Sequence, residues 1–552
     1  MRMTVVPPVD AKLRDLSSDF SHQPWRIPVL STMRHVTTLI GGALTSILVL
    51  AACGGGPGAG ISAETTVTAQ FNRVPTSFDP AAAAAIDDWA ADRLLFDTLL
   101  RMDNDGSVVG GLATKWEVES ASVVTLTIRK DATCADGTPI TAETVADSLN
   151  YYAGDPAHVS AATAFGPGQP TITANAGDST VTVETAQPYV HVLKGLALPQ
   201  SGVICPAGLA DKAGLQAGTV EAAFSGPYTL REATPGVRYV FGLRPDYNWW
   251  PDFADPPQGD PVQTLEFGVL TDESTTANQV LSDNLKISMI SGTQIDRFQG
   301  REEDFNLSLK AAGNLYIVFN ERPGRVFSEQ ANRTAAAQAI DRTAWNQAYS
   351  GGVNPLWTSL VPPAYPCSNN DAELLHEFDL PAAEQVLAGT EIKVVTQNGL
   401  GAQARDSEYL EKALLNAGAR VDLQVYDLPR WNGIITDPAG GDWDLTIIGD
   451  GNQLATISGT MQRVLGPTPA EGGRNVGAAD NPEGAAALEK ASKTVDEAQR
   501  CALETQMQES VLTRVDAIPL TGGYRMWVLP KNASAIFPAD AVIDFSTVRV
   551  AE

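Results

Sequence analysis

The stretch between Ile392 and Ile448 limits the possible folds more than any other part of the chain. Ile392 to Thr396 is a short apolar run of the kind that forms a buried strand. Arg405 to Ala417 follows as a helix with Tyr409, Leu410, Ala413, Leu414 and Ala417 on its apolar side, and Gly418 stops it. Val421 to Tyr426 is the next strand, and Asp444 to Ile448 a third, after a short helix around Trp431. Strands joined through a helix lie parallel, and their apolar character requires cover on both faces. The expected class is α/β, with a parallel sheet layered by helices.

One such layer cannot absorb the whole chain. Single cores stop growing at about 250 to 300 residues, and this chain has 552, so two or three domains are expected. Residues 62 to 308 read as a first lobe of strands and short helices. Val124, Leu126 and Ile128 alternate with polar neighbours, Asp136-Gly137 is a hairpin-type turn, and Thr180 to Val183 repeats the alternation. Thr141 caps a helix with Val145, Leu149 and Tyr152 on one face, and an inserted subdomain is expected over about 120 to 225. Residues 309 to 511 read as a second lobe. It opens with the strand Leu315 to Phe319 and an Ala-rich helix from Thr334 to Ala348, and ends in a helix of about Ala485 to Val515. The tail, 512 to 552, carries Ile518-Pro519-Leu520 and Met526 to Leu529; too short for a domain, it is expected to return to the first lobe. Two crossings make a hinge, and hinged lobes close on ligands.

The N-terminus has a different character. Residues 36 to 52 are an apolar run preceded by Met33-Arg34-His35 and ending at Cys53, the layout of a signal peptide. Leu50-Ala51-Ala52-Cys53 resembles the bacterial lipobox, in which the cysteine is acylated and becomes the first residue. A complete signal starts at Met33, so residues 1 to 32, with Pro7, Pro8, Pro24 and Pro28, read as an upstream extension beyond the true start. The alternative is an uncleaved anchor helix. The Gly-rich residues 53 to 61 suit a flexible tether. The expected location is extracytoplasmic, in the cell envelope, held to the cytoplasmic membrane by lipid.

The net charge of −27 argues against nucleic acid, whose affinity comes from Lys and Arg contacts to phosphate. Beyond Cys53 there remain Cys134, Cys205, Cys367 and Cys501. An even number in an exported chain suggests disulfides with three possible pairings, and free buried thiols are the alternative. Cys134 with Cys205 and Cys367 with Cys501 is favoured because each pair then lies within one lobe. No CxxC or Cys/His cluster points to a metal, and no cofactor is implied. Beyond the signal the histidines are His158, His191 and His376, and no GxSxG, HExxH or Walker A pattern occurs. An exported hydrolase is thus a minor alternative and the chain reads as a non-enzyme.

Several segments, in order, resemble the extracytoplasmic solute-binding proteins of peptide, dipeptide and nickel ABC importers, family 5. Phe78-Asp79-Pro80 is similar to the early DP signature and Leu112 to Val118 to the "laesWev" segment. Leu126 to Asp131 with Asp136 to Val145 is similar to "LRdgvkFhdGtplTAeDV", Ser225-Gly226-Pro227-Tyr228 to "GtGPY", and Asn332 to Arg342 to "vRqAiayAiDR". The resemblance implies a two-lobed periplasmic-binding-protein-like fold with an extra subdomain, mixed sheets and a hinge. It also implies a monomer that captures a peptide or peptide-like small molecule and delivers it to ABC permease subunits. A non-transport envelope-assembly or regulatory lipoprotein is the alternative use of the same fold.

In peptide-binding members the strand "DyDl…GW.aDY" supplies an aspartate for the peptide's amino terminus. Here the segment runs from Asp442 to Gln453; counting from Gly449, Gln453 stands at that aspartate's position and Asp450 replaces an aromatic. A neutral amide accepts from an ammonium without compensating its charge. Either Asp450 supplies that charge or the ligand is uncharged there. The candidate ligand contacts are Asn72, Asn320, Trp357, Trp431, Asp450, Asn452 and Gln453, placed at strand ends or as flat apolar walls.

Overall fold

In the computed structural model, Glu391–Gln397 and Arg420–Tyr426 pair in parallel over their full length, and Val394 pairs with Leu445 of Leu445–Asp450 in the same sense. The intervening helix Arg405–Asn416 buries Leu410, Ala413 and Leu414. These strands form one half of a six-stranded sheet. Its order continues through Phe305–Phe319 and Ala517–Pro530 to Ser288–Ser291, all of these added antiparallel. The structure describes residues 66–552 together with 62 and 64, apart from 159, 399–403 and 539–541. The acylation site at Cys53, the signal 33–52, the extension before it and the tether 53–61 lie outside these residues. Among the described residues no helix is long and apolar enough to cross a membrane.

Two four-stranded sheets build most of the N-terminal part. Thr66–Phe71, Thr264–Val269, Arg238–Leu243 and Tyr228–Thr234 form one, with a parallel first pair. Ala113–Val118, Val123–Ile128, Thr180–Glu184 and Thr171–Asn175 form the other, wholly antiparallel. The alternation of Val124, Leu126 and Ile128 buries these three, and the helix Ala142–Gly154 covers the sheet with Val145, Leu149 and Tyr152. Thr141 caps that helix by accepting from Thr144 N at 3.3 Å. The fold is mixed α/β with two lobes.

The chain passes between the lobes in long strands. Phe305–Phe319 runs unbroken through the expected boundary at 308 and 309, pairing with Ala517–Pro530 from Val318 opposite Ala517 to Phe305 opposite Pro530. Trp527 and Leu529 near the end of Ala517–Pro530, with Phe545 and Val548 beyond it, share one apolar cluster with Val67, Phe71 and Phe267 of the N-terminal sheet. Two expected single helices are pairs. Gln330–Ala339 and Arg342–Ser350 are separated where Asp341 turns its side chain back to accept from Thr343 N and Ala344 N, a cap that starts a new helix. Pro482–Ala491 and Glu497–Arg514 are likewise separated by a second cap, Asp496.

The short signature segments hold the backbone in place. Asp79 caps the turn Pro80–Ala82 and accepts the Tyr151 hydroxyl at 2.6 Å. A Cβ at Gly226 would stand 2.6 Å from Leu94 O, so only glycine fits, and Tyr228 ties its hydroxyl to Val262 O. Disulfides join Cys134 to Cys205 and Cys367 to Cys501, with Cα–Cα distances of 6.1 and 5.2 Å.

Candidate functional site

The strand Leu445–Asp450 is buried along most of its length and delivers Asp450 at its carboxyl end, opposite Asn314. After a short loop, Thr456 accepts from Gly459 N and starts the helix Ile457–Leu465. Thr460 on this helix is the hub of the site. Its hydroxyl donates to Asp450 Oδ2 at 2.8 Å and accepts from Asn314 Nδ2 at 2.9 Å and Asn452 Nδ2 at 3.2 Å. Asn452 also donates to Thr456 O. Asp450 Oδ1 stands 2.6 Å from Arg463 Nε, an ion contact in which the N–H does not lie on a hydrogen-bond line. Burial alone would push the Arg463 guanidinium down, but Asp450 more than offsets this and holds it above its ordinary value.

Around this pair lie groups with nothing to bond. Tyr316, opposite Ile448 in the sheet, has a sealed hydroxyl without a partner, and burial pushes it well above the usual phenol range. Gln453 Nε2 and Asn314 Oδ1 are also buried without partners. Arg474 is solvent-exposed, yet burial by the surrounding protein, with repulsion from Arg463, holds its guanidinium below the ordinary value.

The opposing wall comes from the N-terminal lobe. Lys194, on the short helix Val192–Gly195, donates to Ala455 O at 3.2 Å. Leu454 is buried in the N-terminal lobe's cluster beside Tyr247 and Trp249. Burial, partly opposed by Glu504, brings Lys194 down to about 8; burial, then Lys194 and Arg500, brings His191 down to about 3. Tyr189 lies within electrostatic reach of Arg474. The loop after Asp450 is therefore where the lobes meet.

Of the residues singled out from sequence, Asp450, Asn452 and Gln453 come together here. Trp431 is buried in the apolar cluster that includes Tyr316 and Ile448, with Nε1 donating to Thr446 Oγ1 at 2.9 Å. The other three stand apart. Asn320 is fully buried, with Nδ2 donating to Gly440 O and Trp443 O and Oδ1 accepting from Arg322. Trp357 is buried against Gly522, where a Cβ would lie 2.4 Å from its ring, and donates to the Tyr524 hydroxyl. Asn72 donates its backbone N–H to Asp87 and accepts from Gln70. Tyr189, His191, Lys194, Tyr316, Arg463 and Arg474 carry no local sequence signal, because they converge from four separate segments. Among the described residues no group of three or more His, Cys, Asp or Glu is arranged to hold a metal ion.

Comparison with known proteins adds three findings. The model of the bacterial extracellular solute-binding proteins, family 5 Middle, matches residues 107–472. A substrate-binding protein of Microbacterium hydrocarbonoxydans, solved in complex with 4-hydroxybenzoate hydrazide, is 34% identical at a TM-score of 0.73, covering 88% of this chain and 100% of that one. Two proteins of Escherichia coli K12 are similar over part of their length. The periplasmic oligopeptide-binding protein OppA is 25% identical over 289 residues, 48% of this chain and 51% of that protein. The periplasmic murein peptide-binding protein MppA is 39% identical over 69 residues, 12% and 13% respectively. The chain thus spans about half or less of the length of these two relatives.

Proposed function

The chain belongs to the bacterial extracellular solute-binding proteins of family 5, and on that premise we propose that it is the capture component of an ABC importer. In this reading a lipid on Cys53 holds a monomer at the outer face of the cytoplasmic membrane. The lobes close on a peptide-like solute and present it to the permease subunits. No catalytic step is assigned to it.

The observation that carries the ligand reading is the Asp450–Arg463 contact at 2.6 Å. A buried ammonium needs a carboxylate to offset its desolvation. The carboxylate nearest the expected position is already neutralised, and Gln453 offers only an amide. The solute is therefore one without a free ammonium at that end: an acylated peptide, or an acyl derivative such as the hydrazide bound by the Microbacterium hydrocarbonoxydans relative. The strands Phe305–Phe319 and Ala517–Pro530 serve as the hinge, and the Lys194 contact with Ala455 O as part of the closed interface.

The test is mass spectrometry of the solute released from purified protein, followed by melting and scattering with that solute and with free and acylated peptides. Ligand bound only by the closed form raises the melting temperature and compacts the protein. Absence of any shift across acylated peptides, acyl hydrazides and free peptides refutes solute capture. A shift confined to free peptides refutes the assignment of Asp450. Conversion of Cys53→Ala should release the protein from the membrane fraction, and retention would refute lipid anchoring.

A further inference from the structure

One apolar side chain crosses from the C-terminal lobe into the core of the N-terminal lobe. Leu454 lies in the loop that leads from Leu445–Asp450 to the helix Ile457–Leu465. It is 4% exposed and belongs to an apolar cluster in which every other buried residue lies between Ala81 and Trp249. The crossing is one-way among the described residues, since the two clusters of the C-terminal lobe take in no residue before Leu315. Both ends of the contact are held. Lys194 Nζ donates to Ala455 O at 3.2 Å, which sets the tip of the loop against the helix Val192–Gly195. Val192 and Leu196, on either side of Lys194, are members of the same cluster. That helix is itself seated hard on its neighbour: a Cβ on Gly195 would stand 2.0 Å from Ala164 O. From the C-terminal lobe Asn452 braces the loop, donating to Thr456 O and to Thr460 Oγ1 at 3.2 Å. Ala455 holds φ at +50°, a left-handed conformation that costs a residue with a Cβ and persists where the surroundings over-determine it.

A hinge motion that parts the lobes draws Leu454 out of the N-terminal core and breaks the Lys194 hydrogen bond with it. Burying a leucine side chain favours the buried state by roughly 10- to 100-fold. Resting on the solute-capture reading above, we infer that Leu454 is a closure latch, a positioning residue that shifts the lobes toward the closed form by the same factor whatever solute lies between them. Leu454 and Ala455 are each 4% exposed, so neither has a face to offer a solute. The latch therefore strengthens every affinity alike and leaves the ranking of solutes to the groups that face them. It acts on the solute-free protein as well, whose lobes close part of the time before any solute is present.

Small-angle scattering and calorimetry on mature protein stripped of bound solute test this in Leu454→Ser, the milder Leu454→Ala and the conservative Leu454→Met. The probes are 4-hydroxybenzoate hydrazide and N-acetyl-trialanine. Solute-free Leu454→Ser should have a larger radius of gyration than solute-free wild type, with Leu454→Ala between them and Leu454→Met close to wild type. Each probe should bind Leu454→Ser at least about fivefold more weakly, less than the full burial factor because the solute-free form is itself partly closed. The two losses should agree within about twofold, and Leu454→Met should recover most of each. Coincident solute-free profiles for wild type and a folded Leu454→Ser or Leu454→Ala overturn the inference; a lower melting temperature without expansion then marks a leucine that only packs. A loss more than about threefold greater for one probe than for the other makes Leu454 a solute contact and overturns the latch, with solute capture left standing. If neither probe binds the wild type, capture of this class of solute fails, and the solute-free profiles alone decide the latch.

Discussion

Arg333 offers the sharpest test of how the C-terminal lobe is held. It is 1% exposed on the helix Gln330–Ala339 and reaches three other segments. The guanidinium donates to Val515 O at 3.1 Å, Phe327 O at 2.9 Å and Arg514 O at 3.0 Å. It pairs with Glu321 at 3.0 Å and Asp516 at 3.2 Å, both of them buried. Arg333→Met keeps the bulk of the stem and removes the charge, so two carboxylates and four carbonyls, counting Ser328 O at 3.3 Å, lose their donor. Removing one partner of a buried pair costs about 3 to 5 kcal/mol, and the orphaned carbonyls put this case at the upper end.

The penalty must also depend on pH. Burial, and then Asp516, raise Glu321 from 4.5 to about 8 against the pull of Arg333. A carboxyl raised on folding binds its proton more tightly in the native state. Its contribution is present below about 4.5 and is lost as pH rises through about 8. Without Arg333 the native pKa climbs further and the loss steepens. Urea midpoints of mature wild type and Arg333→Met at pH 5 and pH 8 should therefore diverge most at pH 8. Adding Glu321→Gln should recover part of the stability at pH 8 and little at pH 5. A loss under about 1 kcal/mol at pH 8, or an equal loss at both pH values, would refute this account of the network.

Other expectations follow from single features. Cys134→Ala with Cys205→Ala opens a closure spanning 71 residues and should cost about 4 kcal/mol on the chain-entropy estimate; an unchanged melt would show that the buried side chains alone hold that corner. Gly522→Val drives a side chain into the Trp357 ring, 2.4 Å from an ideal Cβ, and should lower stability by about 1 to 3 kcal/mol in a melt. Lys194 is depressed from 10.5 to about 8, so its charged form opposes folding fully below pH 8 and less as pH rises toward 10.5. Lys194→Met should therefore be more stable than wild type at pH 7, by on the order of 1 to 2 kcal/mol after allowance for residual exposure. The gap should close by about pH 10.5, and a gap independent of pH would refute the assignment to burial.

Local period was enough to read much of the fold. The apolar runs at Ile392 and Val421 and the one-sided helix between them admit one arrangement, and the structure has it. The alternation at Val124, Leu126 and Ile128 gave an accurate reading because burial on one face is written into successive residues. Asp341 shows where local reading stopped. A continuous Ala-rich pattern hid a helix break, since a capping carboxylate looks like any polar surface residue until the chain turns back on it.

The sequence by itself determined the family signature, the α/β class, and the departure of Gln453 and Asp450 from the peptide-binding pattern. Those are properties of residue order. Only the tertiary structure decided what Asp450 does: the choice between a free counter-ion and a paired one depended on Arg463, thirteen residues away on a covering helix. It also set Tyr316, Arg474 and Tyr189 around the same space from distant segments, and enclosed Asn320 and Trp357 among backbone and ring partners of their own. Whether a charge is compensated or left open to a ligand depends on distances between side chains that no stretch of sequence contains.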